Sequence, residues 1–158
     1  MTEKNKYDGL GGWLILVGIG IIISPLRIVT LIFPIYTDIF SNGVWEVLTT
    51  PGTEVYNSLW APVLMGEVVI NGGLVIAWLF MAFLFFSKKK VFPKWYISIM
   101  VFTLLFIFLD ALAMNAVLPN EPVFDPETIQ EFVRQLIATI IWVPYMLVSK
   151  RVQATFIK

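Results

Sequence analysis

The chain contains no cysteine and no histidine in 158 residues. Without cysteine there are no disulfides, no thiol nucleophile and no iron–sulfur ligation; without histidine there is no imidazole base and no His-bound haem, and ordinary zinc sites lose both usual ligands. Charge is also scarce. Only 14% of residues are charged while 58% are hydrophobic, and the mean hydropathy of +0.83 lies outside the range of soluble domains. The eleven basic and eleven acidic residues cancel, so no basic surface marks a nucleic-acid partner. No metal and no cofactor is expected, and the bilayer is the first partner the composition implies.

The apolar mass falls into runs long enough to cross roughly 30 Å of hydrocarbon at about 1.5 Å per residue. Four spans are predicted, at about 11–33, 61–86, 95–118 and 126–148. Each must be helical, because backbone groups in hydrocarbon are satisfied only within the segment. Asp125-Pro126-Glu127 is a good helix start, with an acid to cap and proline in the first turn. The first run exceeds the length of a signal-peptide core and lacks a small-residue cleavage site, so it is read as a retained span. Residues 34–60 become an external loop with a short interfacial helix near Thr37 to Leu48, broken at Pro51-Gly52. Pro25 is expected to kink the first span by freeing the carbonyl of Ile21.

The connections sort by sign. Lys4 and Lys6 precede the first span, Lys88, Lys89, Lys90 and Lys94 join the second to the third, and Lys150, Arg151 and Lys158 follow the fourth. The other two connections carry only acids, namely Asp38, Glu46, Glu54, Glu121 and Asp125. The positive-inside rule then places both termini in the cytoplasm. The fold class is all-α, a single membrane bundle of four transmembrane helices.

Each span carries a charged residue in its outer half: Arg27, Glu67, Asp110 and Arg134. Arg27, Glu67 and Arg134 fall about 9 Å from the outer boundary and Asp110 about 12 Å. One intramembrane charge costs about 2.5–3.5 kcal/mol on insertion scales, so two cations and two anions at one depth are expected to pair. Asn71 shares a face with Glu67 at i,i+4, Ser24 precedes Arg27 by three, and Gly20 with Ser24 is expected to let another helix approach. Arg134 has a second local partner in Glu131, three residues earlier. Two readings of this layer follow. In one it is ionic glue that fixes the packing; in the other Arg27, Glu67, Asn71, Asp110 and Arg134 line a ligand site. No nucleophile or metal motif accompanies the carboxylates, so no catalysis is expected.

The opening GLGGWLILVGIGIIISPLR at 9–27 and the closing IWVPYMLVSKRVQATFI at 141–157 resemble the two ends of a family of small bacterial inner-membrane proteins known as domain of unknown function 2569. The resemblance implies a multi-pass protein of the bacterial cytoplasmic membrane and brings no substrate, cofactor or catalytic residue. Ser149 to Phe156 is expected to lie along the inner leaflet as a basic amphipathic piece. The resulting expectation is an accessory component that binds another membrane protein or itself. Its alternative is a small transporter or sensor built on the charged layer.

Overall fold

The computed structural model describes residues 9–158, which leaves Lys4 and Lys6 outside the described residues. Helix α1 is one rod, Trp13–Ser41, and the three other long helices are α3 (Trp60–Phe86), α4 (Phe92–Val117) and α5 (Pro126–Val148). Two short helices complete the chain, α2 (Val44–Thr49) and α6 (Lys150–Thr155). There is no strand among the described residues. The four long helices have the length and composition of membrane spans, and the protein is an all-α, multi-pass membrane bundle.

The long helices form a row in which α1 packs on α3, α3 on α4 and α4 on α5. The two ends of the row, α1 and α5, share no comparable face. They meet at Trp13 and Trp142, whose rings lie edge to face 6.2 Å apart, and again at a single ion pair described below. Between those two points the row stays open.

Two dry clusters bracket this opening. The larger one fills the end that carries the basic connections and joins Leu14, Val17 and Ile21 to Met81, Phe85, Phe92, Tyr96 and Met146. The smaller one sits at the acidic end, where Trp60, Leu64 and Val117 pack with Trp45 and Leu48. The 42–59 connection is therefore folded onto the bundle. Asn57 donates to the carbonyl of Val117 at 3.2 Å, and the indole of Trp60 donates to Val55 at 3.2 Å.

The first span runs eight residues beyond the expected end at Phe33. Residues 28–32 form a π-helical turn, and α-helix resumes at Phe33. Pro34 has no N–H to give the carbonyl four residues back, and its ring would crowd that carbonyl in a regular turn. The wider π turn lies directly before it and absorbs both defects without ending the rod. At Pro25 the α-helix continues, so the irregularity sits one turn later than expected. The interfacial helix expected over Thr37 to Leu48 is split: residues 37–41 belong to α1, and α2 begins at Val44.

The C-terminal segment also departs from expectation. It does not spread along the leaflet but folds back as a cap on the basic end, with Val152, Thr155 and Phe156 all buried. Phe156 stacks on Phe92 with ring centroids 4.3 Å apart. Backbone bonds run from Lys90 N–H to the Lys158 carbonyl at 2.7 Å and from Lys158 N–H to the Lys88 carbonyl at 3.3 Å. The Thr155 hydroxyl donates to the carbonyl of Gly9 at 3.1 Å. Arg151 lies over the glycines before α1, so close that a Cβ on Gly11 would sit 3.1 Å from Nη1, and Gly12 holds φ at 59°, a value side chains disfavour. The two sequence ends that carried the family resemblance are thus one contact in space.

Candidate functional site

The polar layer lies between the two dry clusters, and all four spans contribute to it. On α3 the positions Glu67, Asn71, Leu74 and Trp78 follow one helical face, as do Thr103, Phe106, Ile107 and Asp110 on α4. On α5 the face is Thr128, Glu131 and Gln135; on α1 it is Ser24, Arg27, Ile28, Leu31, Ile32 and Ile35, with Tyr36 added by the π turn. Together they line a partly open cavity of about 310 Å³.

Arg27 reaches across the open side of the row. Its Nη2 lies 3.2 Å from Glu131 Oε1, with the two side chains 38% and 47% exposed. This is the only salt bridge among the described residues. The expected pairing of Arg27 with Glu67 or Asp110 is not made. Arg134 is exposed on α5, does not line the cavity and has no ion-pair partner among the described residues. The balanced four-charge layer is therefore corrected: Glu131 takes the place expected for Arg134, because Glu131 shares the inward face with Thr128 and Gln135, and Arg134 is turned off it.

Glu67 sits in a network of uncharged donors. Tyr36 donates its hydroxyl proton toward Glu67 Oε2 at 3.4 Å, and Asn71 Nδ2 donates to the Tyr36 oxygen at 2.9 Å and to the Glu67 carbonyl at 3.0 Å. The carboxyl of Asp110 lines the same cavity. Among the described residues no cation pairs with either carboxyl. On the same wall the Thr103 hydroxyl oxygen is fully buried with no hydrogen-bond partner among the described residues. Gln135 is used otherwise, donating to the carbonyl of Met100 at 3.1 Å.

The residues Glu67, Asp110 and Thr128 are also one wall of a second cavity of about 320 Å³. That cavity continues to the acidic end under the 118–125 connection, where Asn115, Glu121 and Asp125 line it. Asp125 caps α5 as expected, accepting from Thr128 N–H at 2.7 Å. The backbone N–H and hydroxyl of Thr128 hold its carboxyl below the usual carboxylate range. Gly20 meets no neighbour where a close helix was expected; its carbonyl instead accepts from the Ser24 hydroxyl at 2.7 Å.

Of the residues picked from sequence, Arg27, Glu67, Asn71 and Asp110 line one cavity. Tyr36 and Glu131 were missed as lining residues. The i, i+3, i+7 spacing of Thr128, Glu131 and Gln135 was a signal that pointed to the second of these. Among the described residues no group of three or more His, Cys, Asp or Glu is placed to hold a metal ion.

No curated protein and no solved structure matches the chain. A family model described as protein of unknown function (DUF2569) matches residues 7–157, a range that takes in the terminal cap, the four spans and every residue lining the cavity. The chain belongs to that family.

Proposed function

We propose that this is a ligand-binding protein of the bacterial cytoplasmic membrane, with no catalysis of its own, which takes up a small molecule from the acidic side for transport or sensing. The observation that carries this reading is a cavity with polar groups on its wall, lined by all four spans, which shares Glu67 and Asp110 with a second cavity at the acidic end. Glue requires charges paired in a dry core. Here the two acids have no cation partner among the described residues, and the Arg27–Glu131 pair is nearly half-exposed. The accessory role expected from sequence rested on the lack of any motif, and the cavity gives the transporter or sensor reading positive support. The orientation rests on the charge rule, with acids at the outer end and lysines at the inner one. Without a nucleophile or metal-binding group the lining offers binding and proton exchange rather than bond cleavage.

The absence of native cysteine makes the test direct. Ser24→Cys places a near-isosteric thiol on the cavity wall, and Ile76→Cys places one on a surface that is 70% exposed in the bare protein but outside the cavity. In proteoliposomes with a charged, membrane-impermeant methanethiosulfonate on the acidic side, Ser24→Cys is expected to react at least about tenfold faster, because only the cavity brings water to it. Equal, slow labelling of both would defeat the cavity reading.

A further inference from the structure

We infer that the ligand of this cavity is an organic cation with an apolar body, a quaternary or protonated amine. The inference rests on the proposed ligand site and concerns its substrate class.

Charge is the first ground. The lining includes one cation, Arg27, and three carboxyls, Glu67, Asp110 and Glu131. Arg27 is committed to Glu131, which leaves the Glu67–Asp110 pair facing the cavity with no positive partner among the described residues. An anionic ligand would have to approach this pair with only an engaged guanidinium to receive it. Two carboxyls without a cation partner among the described residues put negative charge on this wall, and a cationic ligand neutralises it. In a region of low dielectric such an uncompensated charge interacts far more strongly than it would in water.

Size and wall chemistry decide between kinds of cation. A bare metal ion needs about six oxygen ligands in a tight shell, and the described residues offer no cluster of that kind. The cavity is instead of the size that takes a small organic molecule, about 300 Å³ or more. Much of its wall is apolar, with Leu31, Ile35, Leu74 and Phe106 among its residues, and Trp78 and Tyr36 add aromatic rings able to face an ammonium group. A charged head at the carboxyl pair and an apolar body against the α1 and α4 side chains would use every part of this lining.

The test uses the full chain in lipid nanodiscs and two probes of nearly the same shape, phenyltrimethylammonium and its uncharged isostere tert-butylbenzene. Calorimetric titration is expected to show saturable binding of the ammonium compound that excess tert-butylbenzene does not displace. Asp110→Asn, checked for a monodisperse elution profile, is expected to weaken it at least about tenfold, whereas Arg134→Gln, outside the cavity, leaves it unchanged. Competition by the neutral isostere, or affinity unaltered in Asp110→Asn, would overturn the proposal. The isostere comparison needs no variant, so a variant that fails to fold does not spare the idea. Failure of the ammonium compound to bind while Ser24→Cys still labels rapidly rejects the substrate class and keeps the cavity. Failure of both rejects the site itself.

Discussion

The two halves of the bundle use the same four helices in opposite ways. In the basic half the helices meet through packed aromatic side chains: Phe85, Phe92 and Phe156 are in mutual ring contact, and the C-terminal segment is bonded into the α3–α4 turn. In the acidic half the helices part around a polar layer, α1 and α5 touch through one ion pair, and two cavities meet at Glu67 and Asp110. Packing density is the difference. A close-packed end fixes the relative positions of the helices, and that fixed end lets the other half keep space and unmatched carboxyls that a small bundle could not otherwise hold in place.

The comparison breaks most visibly if the cap is not a structural end. Phe156 is 4% exposed and stacked on Phe92. Phe156→Ala is expected to destabilise the protein by about 3–5 kcal/mol, the usual range for deleting a buried phenylalanine ring. Denaturant unfolding in mixed micelles measures it. A cost below about 1 kcal/mol would mean that the C-terminus is a loosely held lid rather than part of the core.

A smaller effect is expected at the acidic rim, where Asp125 both caps α5 and lines the outer cavity. Asp125→Ala removes the bond to Thr128 N–H and should cost about 1 kcal/mol of stability. The sign of its pH dependence follows from its depressed carboxyl. The native state favours the ionised form, so the contribution is complete above the usual carboxylate range and is lost as pH falls through the lowered native value. The difference in stability between wild type and Asp125→Ala should therefore shrink in acid. A difference that persists at low pH would assign the effect to packing instead of the cap.

Much of this fold was legible in composition. Hydrocarbon thickness and backbone satisfaction leave only helices for runs of this length, and three of the four spans end within three residues of where they were expected. The first did not, because the apolar run thins out after Phe33 while the helix continues through a π turn, a form that hydropathy does not reveal. The π turn before Pro34 carried the helix on to Ser41 and brought Tyr36 to Glu67. The depth of the polar layer was legible, since depth follows from counting residues. Partners were not, since they depend on rotation about each helix and on which helices are neighbours in the row. Arg134 and Glu131 lie three residues apart at similar depth, yet only Glu131 faces α1. The cap at the basic end was equally hidden, because a basic amphipathic tail suits a leaflet surface as well as a bundle end until Phe156 is seen against Phe92.

The smallest expected effect is the most discriminating between the halves. A double-mutant cycle on Arg27→Met and Glu131→Gln measures what the ion pair is worth. If the acidic half is wet, as the exposure of both side chains indicates, water screens the pair and its coupling should be about 0.2–1 kcal/mol. If that half is as dry as the basic one, removing either partner strands a charge, and each single variant should cost about 3–5 kcal/mol. The sign of a second comparison goes the same way. Glu67→Gln removes an acid with no cation partner, so it should not couple to Arg27→Met at all, whereas the glue reading requires that coupling. Strong coupling of Glu67 to Arg27 would restore glue as the role of the layer and remove the ground for a ligand.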